Sequence, residues 1–224
     1  MMEGMAYTLH IGNKNYSSWS LRPWLVLRET GLPFKENLVS LQDDAGKAAR
    51  LARLPAGRVP CLEHDGVVVW DSLAIGEYLA ERHPGLWPDQ AEDRAWARSI
   101  CAEMHSGFQA LRSEMSMDVR ARRPQRRRSP ALLADIARVE RIWSETRERF
   151  GSGGPLLFGR FTVADAFYAP VAFRFRTYGV APAGEAGRYL EALLALKGMK
   201  EWEAAGKEDE RLADHDLDLL YPGD

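Results

Sequence analysis

The chain has little cysteine, little excess charge and no long apolar run. Its two cysteines, Cys61 and Cys101, cannot build a disulfide framework, and no CxxC pair occurs. Cytoplasmic residence is therefore expected. With 30 Lys+Arg against 32 Asp+Glu the net charge is -2, which argues against wholesale binding to nucleic acid. No apolar stretch approaches the roughly 18 residues of a membrane-spanning helix, so no membrane span is expected. The segment Met1 to Leu9 lacks the apolar core of a secretory signal, and Met1, Met2 and Met5 leave the true start open. The 224 residues are 46% hydrophobic and 28% charged. That is enough apolar material for a packed core and too much for a wholly disordered chain. The length suits one large domain or two small ones.

Strand and helix signals alternate in the first third. Tyr7-Thr8-Leu9-His10-Ile11 alternates with period two, as a strand does. Ser17 to Leu27 follows as a helix, Gly31-Leu32-Pro33 interrupts, and Phe34 to Val39 forms a second strand. Strand, helix and strand in so short a span predict a βαβ unit with parallel strands. A short irregular helix is expected to end over 50–54. Val59 to His64 and Val67 to Trp70 then flank Asp65-Gly66, a strong hairpin signal. Another helix opens at Asp71-Ser72, with Leu73, Tyr78 and Leu79 on one face. The order β, α, β, α, β, β, α predicts a four-stranded mixed sheet with helices on both faces.

His83-Pro84-Gly85-Leu86-Trp87-Pro88 has the composition of an interdomain linker. It divides the chain into an α/β domain over 1–84 and an all-helical domain over 85–224. Ala97, Ile100, Cys101, Met104, Phe108, Leu111 and Met115 predict one long helix. Leu132, Leu133, Ile136, Val139, Trp143 and Phe150 predict another. Val163 to Tyr178, apolar on nearly every side, predicts a buried third helix, kinked at Pro170 and opened by Thr162 and Asp165 at capping-box spacing. Leu190, Leu193 and Leu194 belong to a fourth.

Three segments carry candidate chemistry, each with a plain structural alternative. Asn15-Tyr16-Ser17-Ser18-Trp19-Ser20-Leu21-Arg22 lies between the first strand and the first helix. Its serines suit a helix N-cap; the same helix end also offers amides and a dipole to an anion. A serine hydroxyl there can donate to a thiolate, although serine is a poor base at neutral pH. Val59-Pro60 opens the third strand. It is either a rigid turn or a cis proline beside a backbone that pairs with an extended peptide. Asp71-Ser72 is either an N-cap or a holder for an amino-acid head group, with Asp71 attracting the ammonium and Ser72 the carboxylate.

Taken in order, Ser17-Ser18 with Arg22, Leu54-Pro55-Ala56-Gly57-Arg58-Val59-Pro60-Cys61-Leu62, and Asp71-Ser72-Leu73-Ala74-Ile75 resemble the soluble glutathione transferase superfamily. Leu54 replaces the family's asparagine. The serine cluster is similar to the zeta class in a serine-type, bacterial form, with Trp19 where that class has cysteine. The resemblance covers nearly the whole chain. It implies a thioredoxin-like first domain and an all-α second domain that contributes the electrophile pocket. It also implies glutathione as co-substrate, a small electrophile, a homodimer, a role in detoxification, and no metal. By resemblance, Ser17 or its neighbour Ser18 meets the glutathione sulfur, and Val59 at the Val59-Pro60 bond pairs with the cysteinyl backbone. Asp71 and Ser72 hold the γ-glutamyl end, and Arg58 approaches the glycine carboxylate.

The helical half offers further candidates. Trp19, Met104, His105, Arg112 and Arg174 are candidate pocket residues. His105 suits either substrate orientation or a structural hydrogen bond, and Arg174 and Arg176 either a substrate carboxylate or an ion pair. The basic run Arg120, Arg122, Arg123, Arg126, Arg127 and Arg128 lacks interleaved aromatics and is expected to be a solvated loop. Cys61 and Cys101 are expected to be buried and inert. Three functional readings follow: a glutathione transferase, a zeta-like glutathione-dependent cis-trans isomerase, and a non-catalytic glutathione-binding scaffold.

Overall fold

Alternation in Tyr7–Ile11 produces strand β1, with Tyr7, Leu9 and Ile11 buried. The computed structural model describes residues 7–39, 52–124 and 127–208. Strand β1 runs parallel to β2 (Phe34–Leu38), Tyr7 opposite Phe34 and Ile11 opposite Leu38. The crossover between them is helix α1 (Ser18–Glu29). Strand β3 (Cys61–His64) is antiparallel both to β1 and to β4 (Val67–Trp70). The resulting order is β2-β1-β3-β4. Asp65 and Gly66 turn the hairpin with φ of 51° and 77°, the positive values that a tight primed turn requires. The outer strands expose Leu38, Val67, Val68 and Trp70.

Helix α2 (Ser72–Arg82) packs against α1, β3 and β4. The helix expected to end over 50–54 falls largely outside the described residues, and residues 52–59 form turns and bends. Gly76 lets α2 approach the helical half: a Cβ there would lie 3.1 Å from Val163 Cγ1.

The helical half comprises α3 (Ala91–Ser106), α4 (Gln109–Glu114), α5 (Pro130–Phe150), α6 (Val163–Tyr178), α7 (Gly184–Ala195) and α8 (Lys197–Glu208). The single helix expected over 97–115 is two helices. Phe108 adopts a left-handed conformation (φ 60°, ψ 47°), and a Cβ at Gly107 would come within 2.9 Å of the Glu103 carbonyl. The apolar stripe continues across this break, because Phe108, Leu111 and Met115 are all buried. Periodicity therefore reported burial and not continuity of the helix.

Helix α6 runs unbroken through Pro170 and is buried along nearly its whole length. The Asp165 carboxylate caps its start, accepting from Thr162 N–H (2.8 Å) and Leu157 N–H (3.1 Å). Burial raises the Asp165 pKa to about 6 against the opposing pull of these bonds. The two halves are sewn together behind the linker. Val163 N–H donates to Leu86 O at 2.9 Å. Glu77 on α2 accepts from Trp87 Nε1 (3.0 Å) and pairs in two-pronged fashion with Arg98 on α3.

Candidate functional site

A cavity of about 320 Å³ opens where the start of α1 meets the turn before β3 and the start of α2. Its walls are Trp19, Ala56, Arg58, Val59, Pro60, Trp70, Asp71 and Ser72. The Val59–Pro60 peptide is cis. Six of these eight residues are candidates from the sequence; Ala56 and Trp70 are additions. Trp70 ends an edge strand directly before Asp71 and is 46% exposed; a large aromatic left in solvent beside a candidate site is the signal that marks it.

Ser17 occupies the N-cap position of α1 (φ -79°, ψ 80°), yet its side chain caps no amide. Its hydroxyl donates to Ser20 Oγ at 2.7 Å, and Ser20 Oγ also accepts from Gly12 N–H at 3.0 Å. Gly12 is the meeting point of this wall: a Cβ there would lie 3.0 Å from Ser17 Oγ and 3.3 Å from Val59 Cγ2. Ser17 and Ser18 lie beside the cavity rather than among its lining residues. Ser18 is buried, and its N–H donates to Tyr16 O at 2.9 Å.

Local and long-range bonds together hold the loop that carries Ser17. Ser17 N–H donates to Asn13 O at 2.9 Å, and Asn13 Oδ1 accepts from the amides of Asn15 (2.7 Å) and Tyr16 (3.3 Å). Asn15 is fully buried; its Oδ1 accepts from Arg120 N–H at 3.1 Å and its carbonyl from Val119 N–H at 3.4 Å. The donor on Arg120 fixes which end of the Asn15 amide faces it. The stretch before α5 thus braces the serine loop from the helical half.

The opposite wall is built differently. Asp71 takes φ 51° and ψ 150°, a strained conformation for a residue with a Cβ. Its Oδ1 accepts from Leu73 N–H at 2.8 Å, which caps α2. Its Oδ2 faces His105 Nε2 at 3.4 Å across the domain boundary. Ser72 is buried and accepts from Arg22 Nη1 at 3.3 Å.

Arg22 joins the two walls. It is 1% exposed, and its guanidinium lies 4.3 Å from the Trp19 ring centroid and 4.6 Å from that of Phe167. Burial pulls its pKa down to about 9; Arg112 and Arg174 add to this, and Asp71 opposes it.

His105 meets Trp19 edge-on at 5.3 Å. Burial lowers its pKa, with Arg22 and Arg112 reinforcing and Asp71 opposing. Arg112 stacks over Trp19 at 4.8 Å, but its nitrogens close the carboxyl end of α3 by donating to Gly107 O (2.9 Å) and Met104 O. Arg174 likewise donates to Met115 O and, at 3.4 Å, to Arg112 O, closing α4. Cations are favoured at such helix ends. The Met104 side chain lies in the core, 1% exposed. Met104 and Arg174 therefore sit behind the wall rather than on the face of the cavity.

Two further candidates behave as ordinary structure. Arg122, Arg176 and Lys207 converge on Glu203, at 3.5, 2.7 and 2.6 Å; Arg126 of the basic run falls outside the described residues. Cys61 and Cys101 are buried, and burial raises both thiols, Cys61 to about 11. Among the described residues no helix is long and apolar enough to cross a membrane.

Comparison with known proteins agrees with this geometry. Residues 16–82 match the glutathione S-transferase N-terminal domain and residues 94–205 the glutathione S-transferase C-terminal domain. A probable maleylacetoacetate isomerase from Caenorhabditis elegans is 38% identical over 96 residues, 42% of this chain and 44% of that protein. Maleylacetoacetate isomerase from Rattus norvegicus is 29% identical over 195 residues, 82% and 85% of the two chains. The chain spans about half the length of the curated relatives it matches first. A glutathione transferase homologue from Burkholderia gl BGR1, solved with bound glutathione, superposes with a TM-score of 0.65 at 25% identity, covering 92% of this chain and 100% of that one. The chain belongs to the glutathione S-transferase family.

Proposed function

We propose that the chain binds glutathione in this cavity and conjugates it, through its thiolate sulfur, to a small electrophile. One observation carries the reading. Three segments far apart in sequence, at Trp19, Arg58 to Pro60 and Asp71-Ser72, line one cavity beside Ser17. In this reading residues 1–84 hold the tripeptide and residues 85–224 shape the electrophile side. Asp71 Oδ2 takes the γ-glutamyl ammonium, Ser72 its carboxylate, the Val59 backbone the cysteinyl unit, and Arg58 the glycine carboxylate. Ser17 donates to the sulfur, with Ser18 as the adjacent alternative. The bound glutathione of the Burkholderia structure supports the choice of ligand.

A free thiol with a pKa of about 8.5 is only a few per cent ionised at neutral pH. Lowering it by two units takes about 2.7 kcal/mol of selective thiolate stabilisation. A hydroxyl donor and the amino end of α1 together supply an amount of that order. The thiolate then attacks an electrophilic carbon held on the His105 and Arg112 side, where proximity adds rate. Calorimetric titration of glutathione into the wild type and Ser17→Ala near pH 7 tests the reading. Saturable binding with proton release that Ser17→Ala abolishes is the expected result. Absence of binding to folded wild type leaves a scaffold instead.

A second reading, glutathione-dependent cis-trans isomerisation, draws on the relatives named as maleylacetoacetate isomerases. There the thiolate adds to a cis double bond, the new single bond rotates, and the thiolate leaves again. Arg22 and Arg112, both over the Trp19 ring, provide positive potential for an anionic substrate. Conversion of maleylacetoacetate or maleylpyruvate supports this reading, and no detectable turnover sinks it. Cytoplasmic residence, a detoxifying role and a homodimer complete the proposal. Exposed Val67, Val68 and Trp70 on edge strand β4 support the dimer, which light scattering tests.

A further inference from the structure

We infer that Ser20, buried behind Ser17, is a positioning residue that turns the Ser17 hydroxyl toward the bound sulfur; this rests on the glutathione reading above. Ser20 is fully buried, one turn beyond Ser17 on α1. Its Oγ lies 2.7 Å from Ser17 Oγ and 3.0 Å from the Gly12 amide. A hydroxyl carries one donor and two acceptor sites. In one arrangement of the pair Ser17 donates to Ser20. In that arrangement the Ser17 proton is used up and only its lone pairs face outward. They repel a thiolate.

The pair has a second arrangement at the same oxygen positions. Ser20 rotates its proton onto Ser17 Oγ while still accepting from Gly12 N–H. Ser17 then donates its own proton to the sulfur and accepts one from Ser20. The chain Ser20 to Ser17 to sulfur is polarised in one direction, and such chains strengthen each bond. No proton changes owner and no heavy atom moves; only two O–H rotors turn. Thiolate binding and rotor direction are therefore coupled, and the thiol form gains less from the switch than the thiolate. The Gly12 backbone comes so close that a Cβ there would lie 3.0 Å from Ser17 Oγ, and Ser20 holds the same oxygen at 2.7 Å, so the rotor is its main freedom.

The test is the pKa of bound glutathione, read from ultraviolet difference absorbance of the thiolate against pH, in wild type, Ser20→Ala, Ser17→Ala and the double variant. Ser20→Cys is included because it leaves no cavity if Ser20→Ala fails to fold, while its sulfur is a weak donor and acceptor; its own thiol is subtracted with the glutathione-free titration. Loss of Ser20 is expected to raise the bound thiol pKa by about half a unit to one unit, roughly a three- to tenfold loss of thiolate. The shift should vanish in the Ser17→Ala background, because Ser20 acts through Ser17. A residue that merely stabilises the helix would lower the melting temperature and leave this pKa in place. An unchanged pKa in Ser20→Cys, or equal shifts in both backgrounds, overturns the inference. Glutathione that keeps its solution pKa in wild type overturns the thiolate reading together with it. A depressed wild-type pKa that survives in Ser20→Cys overturns the inference alone.

Discussion

The two walls of the cavity are made by opposite strategies. At the start of α2, Asp71 caps its own helix two residues on and accepts a strained φ of 51° in doing so. At the start of α1, Ser17 caps nothing. The loop before it is set instead by Asn15, whose partners stand 104 and 105 residues away. One wall is local chemistry written in adjacent residues, while the other is assembled by the helical half. Arg22 spans them, reaching Ser72 from the Trp19 side. A locally made wall keeps its shape when the domains shift; an assembled wall reports on the domain interface.

Removing the bridge should have the largest effect. Arg22→Ala empties a buried site between Trp19 and Phe167 and is expected to lower stability by about 3 kcal/mol in urea unfolding. Arg22→Met should restore most of this, since among the described residues no carboxylate forms an ion pair with this buried cation, which then contributes little that an apolar chain of similar volume cannot. Equal losses in both variants would show that charge, not packing, joins the walls.

Next comes the locally made wall. Asp71→Ala is expected to cost about 1 kcal/mol through the lost cap, whereas Asp71→Asn keeps the cap and stays close to wild type. Both should weaken glutathione binding about tenfold in calorimetry, because the Oδ2 charge facing the cavity is gone. Ser17→Ala provides the contrast. Buried Ser20 loses its bond to Ser17 but keeps the one to Gly12 N–H, and no cap is lost, so stability should fall by at most about 0.5 kcal/mol. A loss as large as that of Asp71→Ala would erase the distinction between the walls.

The smallest effect is expected at the seam. The folded pKa of His105 lies below its ordinary value. Above pH about 6.5 both folded and unfolded forms are neutral and the histidine has no influence. As pH falls below that value the unfolded chain takes the proton first, so stability drops until the folded His105 is also protonated. Wild type should therefore lose more melting temperature than His105→Gln between pH 7 and 5, by a small margin because the side chain reaches solvent. A parallel response in the two proteins would show that His105 does not titrate across the Asp71 contact.

Legibility followed the same division. The strands, the Asp65-Gly66 hairpin and the burial of α6 are visible in periodicity and turn chemistry, which act over a few residues. Asp71-Ser72 and the Thr162–Asp165 cap are visible for the same reason. The break at Gly107-Phe108 was not, because the apolar stripe continues across it and a left-handed phenylalanine has no local signature. Ser20 had a local signal, the three-residue spacing from Ser17 that puts both on one helix face, but its partner Gly12 belongs to the preceding strand end. Arg112 and Arg174 look like substrate ligands by position, and only the fold shows them turned onto helix carbonyls.

The sequence by itself determined the family, the order of its elements and the residues that open each helix beside the cavity, since these depend on contacts a few residues apart. The tertiary structure alone decided which hydroxyl Ser17 faces, which arginines are spent on helix ends, and that Asn15 anchors the serine loop. For Asn15 and Arg174 the partners stand scores of residues away, and hydrogen-bond geometry at that range is fixed only when the two halves have packed; Ser17 and Arg112 choose among near neighbours that chain bends bring within reach.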